Sequence, residues 1–208
     1  MGEYKYKVSV VIPAYNAEEY IKRAIESVPA RPDVEVIVVD DGSTDKTVAR
    51  ATSAGILRGA VEIVRMGGNY GVAAAVNAGI DETQGEYIVL LGSDDYLYTE
   101  EFERAMEQLD DTDLVYFDLK INDGNIFHLS PETKENFCGS VKFMRSDFVG
   151  ETRNDETKKA GEDWFFYQEL LRKNPTEKFT GIVAKHYNYP REGSLSWQLQ
   201  KGIIKKGE

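Results

Sequence analysis

An α/β fold, with a mostly parallel sheet covered by helices on both faces and a mixed α+β second half, is what this sequence predicts. Three observations carry the prediction. Short continuous apolar runs recur through the first hundred residues, as strands buried on both faces require. Each run hands over to a turn and then to apolar residues at helical spacing, an order that argues for parallel strands joined by right-handed crossovers. After Thr99 the alternation stops and a hairpin signal replaces it.

Residues 8–12, VSVVI, form the first run, and Pro13 is expected to close that strand because it cannot donate to a ladder. Ala17, Tyr20, Ile21, Ala24, Ile25 and Val28 then mark a helix face that stops before Pro29 and Pro32. A second strand, residues 35–40, runs into Asp41, Gly42, Ser43, Thr44 and Asp45, a turn that opens the next helix. The third strand starts at Val61. It is followed by the turn GGNYG and by VAAAVNAGI, a helix of small residues suited to close packing on a sheet. Gly85 leads into the fourth strand, Tyr87 to Leu91, which ends at Asp94 and Asp95.

Beyond Thr99, Phe102, Ala105, Met106 and Leu109 mark one more helix. Residues 114–126 read as two strands around the turn NDG. Polar residues 128–161 read as loops and short elements, followed by a helix over 162–173, a strand over Phe179 to Ala184 and the aromatic segment HYNYPREGSLSW. No internal repeat or low-complexity linker interrupts this order, so residues 1–208 are expected to form one domain.

A net charge of −11 with no large basic cluster argues against a nucleic-acid partner. The single cysteine, Cys138, cannot form an internal disulfide and reads as a small buried hydrophobe in a reducing cytoplasm. No run approaches the roughly 18 apolar residues that span a bilayer, and no N-terminal stretch resembles a signal peptide. The tail GIIKKGE has the composition to touch a membrane surface, which would make the protein peripheral there, but its length suits a frayed end.

Five segments in sequence order, VSVVIPAYNAEEYI, VIVVDDGSTDKT, NYGVAAAVNAGI, GEYIVLLGSDDYL and GEDWFF, closely resemble the family 2 glycosyltransferases of the GT-A fold. The resemblance implies an inverting transfer of a sugar from a nucleotide-sugar, UDP or dTDP in type, to an acceptor hydroxyl on a saccharide, a lipid-linked saccharide or another molecule. It implies that about residues 7–98 bind the donor, that about 99–208 bind the acceptor, and that Mg²⁺ or Mn²⁺ bridges the diphosphate.

The resemblance places Pro13, Ala14 and Tyr15 in a base-contacting loop, where the Tyr15 ring could stack on the base; a buried structural tyrosine is the plainer alternative. Asp41 would accept the imide hydrogen of a uracil or thymine, although Asp40 or Asp41 could equally cap the following helix. Asn69, Gly71 and Asn77 match a glycine-containing segment that approaches the nucleotide, or else a helix-start turn. Ser93 joins the nucleotide site, Asp94 falls on the family's metal-contacting position, and Asp95 supports the loop or faces the acceptor. Read without the family, Ser93, Asp94 and Asp95 are ordinary loop and cap residues.

Asp163 resembles the general base, with Glu162 beside it in support, since a hydroxyl attacks more readily when a carboxylate takes its proton. An acid at a helix N-terminus is also stabilised by the macrodipole alone. Trp164 is expected in the core. Two departures stand out. Relatives carry an acid where this chain has Gly92, and a histidine where, aligned on Gly193 and Ser194, it has Arg191, which can pair with phosphate but cannot ligate a cation. His186 replaces that ligand only if its loop is rearranged, and His128 has no expected chemistry. Two rivals follow. A degenerate nucleotide-binding module without turnover is suggested by Gly92 and Arg191, and a sugar-phosphate nucleotidyltransferase is disfavoured because PAYNAEEY lacks the glycine-rich, basic loop that holds a triphosphate.

Overall fold

The apolar runs of the first half fold as parallel strands because each can bury both faces only inside a covered sheet. In the computed structural model, which describes residues 4–58, 61–136, 139–158, 161–192, 198 and 200–203, the chain runs β1 (Tyr6–Ala14), α1 (Ile21–Ser27), β2 (Val34–Asp40), α2 (Thr47–Arg58), β3 (Val61–Arg65), α3 (Val72–Asp81) and β4 (Gly85–Leu90). β1 pairs in parallel with β2 on one side and with β4 on the other, and β2 pairs in parallel with β3. The chain therefore moves outward from β1 to β3 and then crosses back, which makes the β1–β4 boundary the point where strand order reverses. Val8, Val10, Val11 and Ile12 of β1 and Val36 to Val39 of β2 are fully buried, each worth about 1.5–3 kcal/mol relative to exposure.

Pro13 does not close β1 as expected; it lies inside the strand, opposite Val39 of β2. The Val11 carbonyl accepts the Leu91 N–H from the β4 side, so Pro13, two residues on, turns its backbone toward the same side after that ladder has ended. Its missing N–H therefore interrupts no bond to β2, where the Ala14 carbonyl accepts the Asp41 N–H. α3 lies against this region through Gly79, where a methyl group would come within 2.3 Å of Val11 Cγ1.

The second half continues the same sheet: β5 (Tyr96–Leu97), α4 (Thr99–Met106), β6 (Leu114–Ile121), β7 (Ile126–Phe127), β8 (Lys142–Arg145), α5 (Ser146–Val149), α6 (Glu162–Leu171) and β9 (Glu177–Tyr187). The strand order is β3-β2-β1-β4-β8-β6-β9-β5, with β7 paired to β6. The β6–β7 hairpin is antiparallel, as the NDG turn predicts. Residues 128–161, expected as loops and short elements, supply β8, a short central strand that pairs antiparallel with both β4 and β6. The last strand is longer than its apolar stretch and runs parallel to β6.

Trp164 is only half-buried and packs edge-on against Phe165, while Phe166, Tyr167 and Leu170 carry the buried face of α6. Cys138, Gly193 and Ser194 lie outside the described residues. Among the described residues no helix is long and apolar enough to cross a membrane.

Candidate active site

A cleft of about 250 Å³ opens beyond the carboxyl ends of β1, β2 and β4, at the point of strand-order reversal where open α/β sheets bind ligands. Pro13, Ala14 and Tyr15 line it from β1, Asp41 from the end of β2, and Gly92, Ser93 and Asp94 from the loop after β4. Val72 and Ala75 of α3 add an apolar wall, and Tyr187, Asn188 and Arg191 close it from the C-terminal segment. Tyr15 is 48 % exposed, so its ring is not committed to the core.

The loops after β1 and β2 brace each other. The Asn16 N–H donates to Ser43 Oγ, the Thr44 N–H donates to Asn16 Oδ1, and the Ala17 N–H donates to Thr47 Oγ1 at 2.7 Å. Asp40 accepts the Ser43 N–H and so closes the turn before α2. Its neighbour Asp41 is buried and accepts the Tyr70 and Gly71 N–H groups at 2.7 and 2.8 Å, one on each oxygen. Neither acid caps α2, whose first N–H, that of Thr47, is taken by Asp45 at 2.9 Å; Asp40 closes the turn, and Asp41 lines the cleft while tying the end of β2 to the start of α3.

Three residues expected near the nucleotide do not line the cleft. Asn69 is exposed and Gly71 contributes its N–H to Asp41. Asn77 is buried in α3, where its amide donates to the Asn154 carbonyl and Glu156 and accepts the Asn154 N–H at 2.8 Å. That amide fastens the loop before α6 rather than a ligand.

Asp94 and Asp95 have separate partners. Arg191 Nε donates to Asp94 Oδ2 at 2.7 Å, with the two side chains 34 % and 23 % exposed. Arg23 from α1 holds the same loop by donating to the Asp94 carbonyl at 2.9 Å. Asp95 points the other way, into a buried ion pair with Lys185 Nζ at 2.7 Å, and accepts the Asn188 N–H. Burial pushes the Asp95 carboxyl up, against the pull of Lys185. These bonds tie the loop after β4 to β9 and to the C-terminal segment.

In the loop after β4 the cleft offers a divalent cation one carboxylate, Asp94, which Arg191 already engages. Among the described residues no three His, Cys, Asp or Glu side chains converge as a metal site. Asp94 is the carboxylate at the right place, and a guanidinium occupies it. His186 is turned away: its ring stacks on Tyr96 at 4.5 Å, and its two nitrogens are within hydrogen-bond distance of Tyr98 and Asn122. Burial and the nearby Arg23 hold its pKa below the usual value. His128, by contrast, is bonded to the buried Asp118 and steadies the hairpin.

Asp163 and Glu162 open α6 and are not among the cleft-lining residues. The Asp163 carboxylate lies over Gly139, where a methyl group would come 2.8 Å from Oδ2. Glu162 is pushed up to about 7, by burial first and by Asp163 second. A connection to the cleft loop runs beneath the surface. Ser140, next to Gly139, bonds Lys185 Nζ, and Lys185 holds Asp95. Lys185 is the residue the sequence reading missed; a lysine on a strand ordinarily signals a solvent-facing position.

The sequence profile described as glycosyl transferase family 2 matches residues 9–179, most of both halves. The chain belongs to this family. A curated relative, the glycosyltransferase GlyG of Streptococcus pneumoniae, is 31 % identical over 138 residues, 63 % of this chain and 45 % of its own length. The chain spans less than half the length of the first curated relatives it matches. Staphylococcus aureus TarS, solved with UDP-GlcNAc, superposes with a TM-score of 0.79 at 22 % identity, covering 91 % of this chain and 60 % of that one. A mannosyltransferase from Pyrobaculum calidifontis, solved with GDP-Man and Mn²⁺, superposes at 0.72 with 20 % identity, covering 95 % and 61 %. These likenesses establish the GT-A fold, and the family match establishes a glycosyltransferase lineage.

Proposed function

We propose that this family 2 chain moves a sugar from a UDP- or dTDP-sugar to an acceptor hydroxyl with inversion, residues 7–98 holding the donor and 99–208 the acceptor, within one unit. The cleft carries the reading: one buried carboxylate, Asp41, and one half-exposed aromatic, Tyr15, lie at one side of it, and a cation, Arg191, at the other. That polarity suits a base at the first side and a diphosphate at the second. Lone-pair capacity left on Asp41 can take the imide hydrogen of a pyrimidine. The neighbours of this fold include TarS with UDP and UDP-GlcNAc and the Pyrobaculum mannosyltransferase with GDP-Man, so the pyrimidine reading rests on Asp41 rather than on the fold.

In the displacement, the acceptor oxygen forms a bond to the anomeric carbon while its proton passes to the Asp163 carboxylate. The bond from that carbon to the β-phosphate oxygen breaks, and its electron pair leaves with the nucleoside diphosphate. One displacement inverts the centre. No step runs through a metal. Asp163→Asn removes the proton acceptor and should slow transfer by roughly 10²- to 10⁴-fold while leaving nucleotide affinity unchanged.

The test is a thermal-shift series with UDP, dTDP, GDP and CMP, followed by turnover of the matching sugar nucleotide by the parent and by Asp163→Asn. A ligand that binds the folded state raises the melting temperature according to its affinity. Pyrimidine diphosphates should rank first, and equal shifts with GDP would overturn the donor assignment. A nucleotide-binding module without turnover is the second reading, favoured by Arg191 on Asp94; hydrolysis of a sugar nucleotide that is lost in Asp163→Asn excludes it.

A further inference from the structure

Arg191 and Asp94 both line the cleft, and they are bonded to each other. Arginine carries five N–H donors in a planar fork. The Nε–H is taken by Asp94 Oδ2 at 2.7 Å. No acceptor among the described residues takes the N–H groups of its two terminal nitrogens, and Arg191 lines the cleft. Its guanidinium lies 5.4 Å from the centre of the Tyr20 ring, which supports the plane from α1's side. Among the described residues the arrangement is a fork held by its stem, with its prongs unbonded, in a cleft whose other charged groups are the carboxylates Asp41 and Asp94.

Those carboxylates alone would repel a diphosphate. A cation must offset them, and among the described residues Arg191 is the one that lines the cleft. Lys185 is 2 % exposed and committed to Asp95 and Ser140, and Arg23 donates to the Asp94 carbonyl and lies over the Tyr96 ring. Bidentate pairing of a guanidinium with phosphate oxygens is strong and directional. A metal would have to displace Arg191 from Asp94 first, and would gain one carboxylate by doing so.

We propose that Arg191, aimed by Asp94, is the group that receives the donor's diphosphate, and that nucleotide binding here needs no divalent metal. The inference rests on the nucleotide-sugar reading above. As the glycosidic bond breaks, charge develops on the β-phosphate oxygen, and a preorganised guanidinium stabilises it without exchanging ligands. Asp94 acts as a positioning residue in this scheme.

The experiment is calorimetric titration of UDP, dTDP and GDP into the parent, Arg191→Met, Arg191→Lys and Asp94→Asn, each in EDTA and in Mn²⁺. The best-binding nucleotide should bind the parent equally, within about twofold, in both buffers. Arg191→Met should weaken it in EDTA by roughly 10- to 100-fold, the equivalent of losing a charged hydrogen-bond pair. Arg191→Lys should restore part of that loss, because the charge returns without the fork. Asp94→Asn should weaken binding by a smaller factor, and Mn²⁺ should not restore it. Melting temperatures of the variants report whether each is folded; Arg191→Lys supplies the comparison if Arg191→Met is not. Parent binding that falls more than about tenfold in EDTA, or Arg191→Met binding like the parent in EDTA, would overturn the inference alone. Failure of every nucleotide to bind in either buffer would overturn the donor reading with it.

Discussion

Two layers of the molecule, the rim of the cleft and the floor beneath it, each hold one of two consecutive aspartates and one cation. At the rim, Asp94 meets Arg191 with both side chains partly in water; in the floor, Asp95 meets Lys185 with both almost wholly buried. The separations are the same, 2.7 Å, and the acids are chemically identical. Solvation is what differs. A pair in water can exchange partners at little cost, which suits ligand recognition. A desolvated pair cannot, because separating it strands a charge, and that suits a fixed support.

Breaking the floor should have the largest effect. Lys185→Met leaves Asp95 buried without its counter-ion and should destabilise the fold by about 3–5 kcal/mol, read as the midpoint shift in urea unfolding. Lys185→Met combined with Asp95→Leu should recover much of that loss. If the single variant unfolds at the parent's midpoint, the floor pair is no support and the comparison fails.

Asp41 tests the boundary between the layers, since it is buried yet lines the cleft. Asp41→Ala leaves the Tyr70 and Gly71 N–H groups without their acceptor, at about 1–3 kcal/mol each. Both stability and UDP affinity should fall, whereas a purely structural role would move the first and spare the second.

Glu162 offers a third comparison, of a partly buried acid raised by its burial and by the neighbouring Asp163 carboxylate, set against Asp95 with Lys185. Its folded pKa of about 7 lies above the ordinary 4.5, so the folded state holds a proton that the unfolded chain has released. Stability is greatest below the unfolded value and falls as pH rises toward the folded one. Glu162→Gln removes this dependence. The variant should match the parent near about pH 4 and exceed it by on the order of 2 kcal/mol at about pH 8, measured by urea midpoints across that range. Equal midpoints at the higher pH would show that water reaches Glu162.

The smallest change should come from the rim. Asp94→Asn should alter stability by less than about 1 kcal/mol, with its effect confined to nucleotide binding. A stability loss comparable to that of Lys185→Met would erase the distinction between rim and floor.

Much of the fold is legible because strands buried on both faces need unbroken apolar runs, and β1, β2 and β4 supply them. Strand β8 is not legible in the same way. Its four residues, KFMR, begin and end in cations, yet Lys142 is buried, donates to the Gly139 carbonyl and lies 4.4 Å from the centre of the Tyr167 ring. Lys185 hides a core position in β9 likewise. Hydrophobic patterning assumes that charge faces water, whereas Lys185 meets Asp95 and Ser140, and Lys142 the Tyr167 ring, groups brought in from other segments.

By itself the sequence determined which acids and which cation stand near the ends of which strands, because strand and turn signals are local: a run, a glycine and a cap fix where Asp41, Asp94 and Asp95 fall. Only the tertiary structure decided which charges meet. Arg191 is 97 residues from Asp94, and Lys185 reaches Asp95 only because β9 returns through the sheet to pair with β5. Whether a carboxylate recognises a ligand or holds up a loop depends on its desolvation and on its partner, and both are products of long-range packing.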